Sequence, residues 1–237
     1  MKFGVVIFPG SNCDHDMIYV LREIMEQEVY ELWHKEKDLQ GVEVVVLPGG
    51  FSYGDYLRSG AIARYSPIME SVIGFARRGG YVFGVCNGFQ ILCEAGLLPG
   101  ALLHNMGQKF IAKNIYIIPE NNSCAVNSIL DKSKSLKIPI AHGEGRFYAA
   151  EKDLIEMRHN DQILFRYCND QGIVTEEANP NGSVENIAGV CNADRNVFGM
   201  MPHPERAADD ELGNTDGRVI FESIIRLLQE KKISVYN

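Results

Sequence analysis

Three short apolar runs, at residues 2–8, 42–47 and 81–85, constrain this chain more than any other feature. Each is nearly unbroken in hydrophobicity where a half-exposed strand would alternate, so each reads as a strand buried on both faces. Each also stops at a turn-forming sequence: Pro9-Gly10-Ser11-Asn12, Pro48-Gly49-Gly50 and Cys86-Asn87-Gly88. Helical periodicity follows. Asp14 or Asp16 caps a helix in which Ile18, Leu21, Ile24 and Met25 recur at helical spacing. Residues 60–78 show a helical pattern up to Gly79-Gly80, residues 87–96 show one up to Gly96, and residues 29–34 read as a further strand. This alternation predicts an α/β fold: an open, mostly parallel twisted sheet with helices on both faces.

The second half is richer in strand patterns, at 115–118, 138–142, 163–167, 187–192 and 197–201. It closes with a helix over 215–230 that carries Val219, Ile220, Ile224, Leu227 and Leu228 on one face, while 170–186 is polar and reads as a surface loop. With no repeat, low-complexity tract or Pro/Ser linker, residues 1–237 read as a single domain. A chain of this length needs no disulfide or metal to hold its core.

Charge narrows the partners. Lys plus Arg number 23 against 31 Asp plus Glu, a formal net charge of -8. The basic clusters are only pairs, Arg77-Arg78 and Lys231-Lys232, so nucleic acid is not an expected partner. No apolar run reaches the ~18 residues that span a bilayer, and the N-terminus reads as a first strand rather than a signal peptide. No membrane partner is expected. The cysteines at 13, 86, 93, 124, 168 and 191 contain no C-x-x-C pair and no metal-site rhythm. They read as reduced thiols of a cytoplasmic protein, with no metal. Neither a Walker A motif nor G-x-G-x-x-G occurs, so no nucleotide site is expected in this chain.

The most specific signal is Val82-Phe83-Gly84-Val85-Cys86-Asn87-Gly88-Phe89-Gln90. A strand running into G-x-C-x-G and then a helix is the cysteine form of a nucleophile elbow. There Cys86 sits at a helix N-terminus, which favours the thiolate, and the Asn87 N–H points where an oxyanion would form. A thiol nucleophile needs a base. In Met201-Pro202-His203-Pro204-Glu205-Arg206 the prolines favour extended backbone, so His203 and Glu205 project to one side. A carboxylate beside an imidazole fixes its tautomer and stabilises the imidazolium. Gly49-Gly50 follows a buried strand at the sheet edge where ligands bind, and can offer the second oxyanion donor. His15, His34, His104 and His159 read as structural. His142, flanked by glycines in 141–147, reads equally as a plain turn or as a backbone closely approached by a ligand.

Cys86-x-Gly88-x-Gln90 together with His203-Pro204-Glu205 resembles the class I glutamine amidotransferases. Pro9-Gly10-Ser11-Asn12-Cys13-Asp14 and the string from Pro48 to Arg58 are similar to those of the stand-alone glutaminase subunits of phosphoribosylformylglycinamidine synthases, of purine biosynthesis. The resemblance implies a flavodoxin-like sheet and a glutaminase that forms a thioester on Cys86, with His203 as acid and base and Glu205 orienting it. It also implies oxyanion contacts near Asn87 and at Gly50 or Phe51, and contact of Gln90 with L-glutamine. The partners it implies are a synthetase subunit that binds ATP and magnesium and a small accessory subunit, with no cofactor in this chain. Other readings of the same residues are a glutaminase subunit for another acceptor, a Cys-His γ-glutamyl hydrolase or peptidase, and a non-catalytic thiol scaffold. The roles of Asp55 and Arg58 are left open.

Overall fold

The computed structural model describes residues 1–235. β1 (Lys2–Ile7) leads into α1 (Asp14–Tyr19), which continues as a π-helical turn over Val20–Ile24. β2 (Glu28–Trp33), β3 (Val44–Leu47), α2 (Pro67–Arg77), β4 (Tyr81–Val85) and α3 (Asn87–Glu94) follow. The second half holds β5 (Ala101–Leu103), β6 (Ile111–Pro119), β7 (Leu136–His142), β8 (Arg146–Tyr148) and α4 (Glu151–His159). It ends with β9 (Ile163–Cys168), β10 (Ile187–Cys191), β11 (Val197–Met200) and α5 (Arg218–Val235).

Nine of these strands form one sheet in the order β2-β1-β3-β4-β11-β10-β9-β6-β7. From β2 to β11 the pairings are parallel. From β11 to β7 they are antiparallel. β5 and β8 form a separate two-stranded ribbon. The expected α/β sheet is therefore present, with its parallel part built from the apolar runs. All four residues of β3 are buried, as a strand covered on both faces requires. In β4 the Phe83 ring lies 6.4 Å from Phe221 of α5, while the neighbouring Gly84 faces Leu92 of α3. Successive strand residues point to opposite faces, so α5 and α3 cover opposite sides of the sheet.

One expected helix is shorter than its pattern. Residues 60–78 form a helix only over Pro67–Arg77, preceded by a 3-10 turn at Ala63–Tyr65. Ser66 stands before a proline, whose ring clashes with helical backbone at that position, and it is extended at φ -60 and ψ 145. Pro67 then opens the helix where its missing N–H costs nothing. The strand expected at 115–118 runs over Ile111–Pro119 because it pairs on both sides, with β7 and β9.

The tightest backbone contact in the sheet region is at Gly88, in the first turn of α3. A Cβ there would lie 1.9 Å from the Leu47 carbonyl oxygen. The Gly88→Ala variant should therefore lose about 3 kcal/mol of stability, the upper range for overpacking, which corresponds to a melting temperature lower by roughly 6–12 °C. At Gly107 a Cβ would meet nothing within 4 Å, so Gly107→Ala should change stability by no more than about 0.5 kcal/mol. Thermal unfolding of the two variants checks this, and equal melting temperatures would contradict it.

Candidate active site

Three neighbouring parallel strands end together. Leu47 of β3 is level with Gly84 of β4, and Met200 of β11 is level with Val85 of β4. The segments leaving them carry Gly49-Gly50, Cys86 and His203. β1, paired with β3 on its other side, leads to Cys13 at the same edge. Open α/β sheets bind ligands at this edge, beyond the carboxyl ends of their strands.

Cys86 makes the turn from β4 into α3 with φ 50 and ψ -105. That conformation costs a non-glycine residue about 1–3 kcal/mol and persists only where the surroundings over-determine it. Here the Cys86 N–H donates to the Met200 carbonyl at 2.8 Å, and its own carbonyl accepts from the Gln90 N–H at 3.1 Å. The turn is thus tied to the neighbouring strand and to the helix it starts. The thiol donates weakly to the Ala141 carbonyl at 3.9 Å, and its charge acts on the neighbouring His203 ring. Helix N-termini leave their first N–H groups without intrahelical partners, and that of Asn87 lies directly beside this sulfur in the chain.

His203 is buried, and its Nδ1 is 2.6 Å from Oε1 of the equally buried Glu205. The His203 N–H donates to the Pro139 carbonyl at 2.9 Å, which seats the residue on β7. Burial alone would push the His203 pKa down. The Glu205 carboxylate and the nearby Cys86 and Cys13 sulfurs outweigh that and hold it well above its ordinary value of 6.5. Among the described residues, Nε2 of His203 and Oε2 of Glu205 have no partner.

The glycine loop closes in on the imidazole. A Cβ on Gly49 would stand 2.6 Å from Cε1 of His203 and 3.2 Å from Sγ of Cys13. Gly50 follows in the left-handed region at φ 135. The Phe51 N–H donates to the Gly10 carbonyl at 3.1 Å, and its half-exposed ring stacks on Phe110 with centroids 6.3 Å apart. The bond to Gly10 engages the Phe51 N–H, which is therefore not aimed at an oxyanion.

Asn87 and Gln90 link the elbow to two loops. Asn87 Oδ1 accepts from the Ser52 N–H at 3.2 Å, and its Nδ2 donates to Asp55 Oδ1 at 3.3 Å and Gln90 Oε1 at 2.9 Å. Gln90 Nε2 donates to the Glu144 carbonyl at 2.5 Å, and the Ser59 N–H donates to Glu144 Oε2 at 3.1 Å. Arg58 forms a bidentate pair with Glu94 at 2.6 and 2.7 Å. The 51–59 and 141–147 loops are therefore both latched to α3. His142 braces the second of them. Asn105 donates from its amide nitrogen to Lys109 and His142 carbonyls, so its oxygen accepts from His142 Nδ1 at 3.0 Å. Burial, with the nearby His203 charge, pushes the His142 pKa down to about 4, so the ring is neutral.

Other thiols stay protonated: burial raises the pKa of Cys93 and takes that of Cys168 up to about 11, and a hydrogen bond with Cys124, added to burial, raises that of Cys191. His34 accepts or donates to the Tyr53 hydroxyl at 2.6 Å, away from the elbow. Two groups at the site escape the sequence reading. Arg206 Nη2 donates to Cys13 Sγ at 3.0 Å, and its Nε donates to Asp16 at 3.1 Å. No local periodicity joins residues 193 positions apart. The available signal was that Cys13, like Cys86, follows a parallel strand that ends at this edge.

Residues 1–219 match the family described as the CobB/CobQ-like glutamine amidotransferase domain. The chain is 54% identical over 231 residues to the phosphoribosylformylglycinamidine synthase subunit PurQ of Koribacter versatilis, covering 98% of this chain and 100% of that one. It is 55% identical over 225 residues to the PurQ subunit of Aquifex aeolicus, covering 95% and 99% respectively. Its structure resembles a chain of the PurLQS structure from Thermotoga maritima, with a TM-score of 0.83, 43% identity, and 96% and 98% of the two chains covered.

Asp55 yields a pH test. Burial raises its pKa from 3.8 to about 6, with Glu144 adding to the rise and hydrogen bonds from Ser59 and Asn87 opposing it. A carboxyl whose folded-state pKa is raised stabilises the fold below its unfolded pKa and loses that contribution as pH rises through the folded value. Asp55→Asn should therefore match the wild type in melting temperature near pH 3.8 and exceed it increasingly toward pH 6. Thermal unfolding across this range checks it, and a constant difference would contradict it.

Proposed function

This chain belongs to the CobB/CobQ-like glutamine amidotransferases, and from that premise we propose that it is the glutaminase subunit of phosphoribosylformylglycinamidine synthase. It hydrolyses L-glutamine and hands the ammonia to a synthetase partner. The observation that carries the reading is the convergence of Cys86, His203 and Glu205 at the ends of two adjacent strands, with the thiol on a strained turn and the imidazole held charged. Identity to the PurQ subunits along nearly the whole chain supports the acceptor assignment.

The chemistry follows from the geometry. The thiolate is the nucleophilic form of a cysteine, and as thiolate Cys86 attacks the side-chain amide carbon of glutamine beside the His203 imidazolium. The carbonyl oxygen becomes an oxyanion, which accepts from the Asn87 and Gly50 N–H groups. His203 gives its proton to the nitrogen, the C–N bond breaks, and ammonia leaves a γ-glutamyl thioester on Cys86. His203, now neutral, takes a proton from water, and the hydroxide displaces the thiolate to release glutamate. Glu205 keeps the ring in one tautomer and balances its charge. Gln90, bonded to Asn87 and to the 141–147 loop, lines the space for the amino acid part of the substrate.

Because a PurQ relative is part of the PurLQS structure, we assign this chain a synthetase subunit and a small accessory subunit as partners. ATP and magnesium belong to the synthetase, and no cofactor is assigned here. Tyr56, Leu57 and Tyr65 are 73%, 92% and 75% exposed on the segment beside the elbow. Apolar side chains so placed support a partner that docks over the site mouth.

The test is reconstitution with the synthetase and accessory subunits, formylglycinamide ribonucleotide and ATP. Glutamine should support product formation only when this chain is present. Cys86→Ala should abolish that activity while ammonium chloride still supports it. His203→Ala should lower the glutamine-dependent rate toward the ~10⁴-fold end of general acid–base effects, and Glu205→Gln should lower it less. Loss of the ammonia-dependent rate in a folded Cys86→Ala complex would contradict the division of roles. Glutamine turnover without product in the full assembly would contradict the acceptor.

A further inference from the structure

Cys13 packs against the same imidazole as Cys86 and has no part in the reaction as written. The donor atoms of Cys13, His203 and Glu205 all lie within 4.8 Å of one another, and the three residues are buried. Arg206 Nη2 donates to the Cys13 sulfur at 3.0 Å, a hydrogen bond strengthened by the guanidinium charge. Arg206 is itself held by Asp16 at 3.1 Å. Gly49 leaves room for nothing more, since a Cβ there would press on both the His203 ring and the Cys13 sulfur. The unpartnered Glu205 Oε2, with its side chain at 0% exposure, lies in the same cluster.

We propose that Cys13 is a positioning residue of the glutaminase site, its sulfur clamped by the Arg206 guanidinium so that the His203 imidazole is held in register with Glu205 and Cys86. The proposal rests on the glutaminase reading above. Cys13 is not itself placed to attack. Its backbone is ordinary at φ -105 and ψ 5, its N–H is engaged by the Gly49 carbonyl at 3.4 Å, and a cation sits on its sulfur. A bound metal is also disfavoured, because the guanidinium already occupies the position a cation would take beside this thiol.

The role has a signature in pH. The groups facing His203 are Glu205, Cys86 and Cys13, which raise its pKa, and His142, which it opposes through like charge. Arg206 and Asp16 act on it through Cys13. The rate falls at alkaline pH when the imidazolium that protonates the departing amide nitrogen is lost. Removing Cys13 removes one support of that charge, so the alkaline limb moves to lower pH.

The experiment uses the full assembly and measures glutamine-dependent kcat, KM and pH profile for Cys13→Ala and Cys13→Ser, with thermal unfolding of each free chain. Cys13→Ala should lower kcat on the order of 10²-fold, the effect of a misplaced acid–base group, with KM little changed and the alkaline limb displaced downward. Cys13→Ser keeps a hydrogen-bonding side chain and should recover much of kcat and bring the limb back toward its wild-type position. Wild-type kcat and profile in Cys13→Ala would overturn the proposal. Equal loss in both variants with an unmoved profile would also overturn it, since that is the mark of packing alone. Should Cys13→Ala not fold, Cys13→Val takes its place: a lowered kcat with a displaced limb supports the proposal, and a wild-type profile overturns it. A wild-type assembly without Cys86-dependent turnover would instead overturn the glutaminase reading, and this proposal with it.

Discussion

The site depends on how closely the first turn of α3 approaches the end of β3. Gly88 sits so near the Leu47 carbonyl that no side chain fits between them. That approach forces β4 to turn within one residue, and the residue that turns is Cys86, at positive φ. The same turn brings a helix N-terminus to the sulfur and leaves the Asn87 N–H beside it. Parallel pairing of β4 with β11 then sets Met200 level with Val85, which carries His203 to the same edge. Cys86, the Asn87 N–H and His203, the proposed nucleophile, oxyanion donor and base, are thus placed by one packing contact and one strand register.

Electrostatics makes that geometry reactive. His203 is fully enclosed, and an enclosed imidazole would ordinarily be neutral. Glu205 and the two sulfurs beside it reverse this and keep the ring charged. His142, only a short distance along β7 from the Pro139 carbonyl that holds His203, is pushed the other way and stays neutral. Two buried histidines in one site therefore hold opposite charge states because their neighbours differ.

Much of this was legible in the sequence, and the remainder fails for identifiable reasons. The apolar runs placed β1, β3 and β4 because strands covered on both faces carry no polar alternation. The elbow was legible because its constraint is local, a strand, two glycines and a helix within nine residues. The helix pattern at 60–78 overshot because periodicity does not register what Pro67 does to Ser66. Phe51 was expected to offer an oxyanion donor, yet its N–H answers to Gly10, a pairing set by the tertiary approach of two loops. Cys13 and Arg206 were invisible as a pair because their contact is a property of sheet order. β1 lies beside β3, and no spacing in the chain encodes that.

Two thiols on one imidazole make the identity of the nucleophile the central claim. The most direct measurement is mass-spectrometric mapping of the cysteine alkylated by a glutamine-analogue chloroketone in the assembled complex. The expected result is stoichiometric adduct on Cys86 alone, with Cys13 unmodified behind the Arg206 guanidinium. Adduct on Cys13 in place of Cys86 would contradict it.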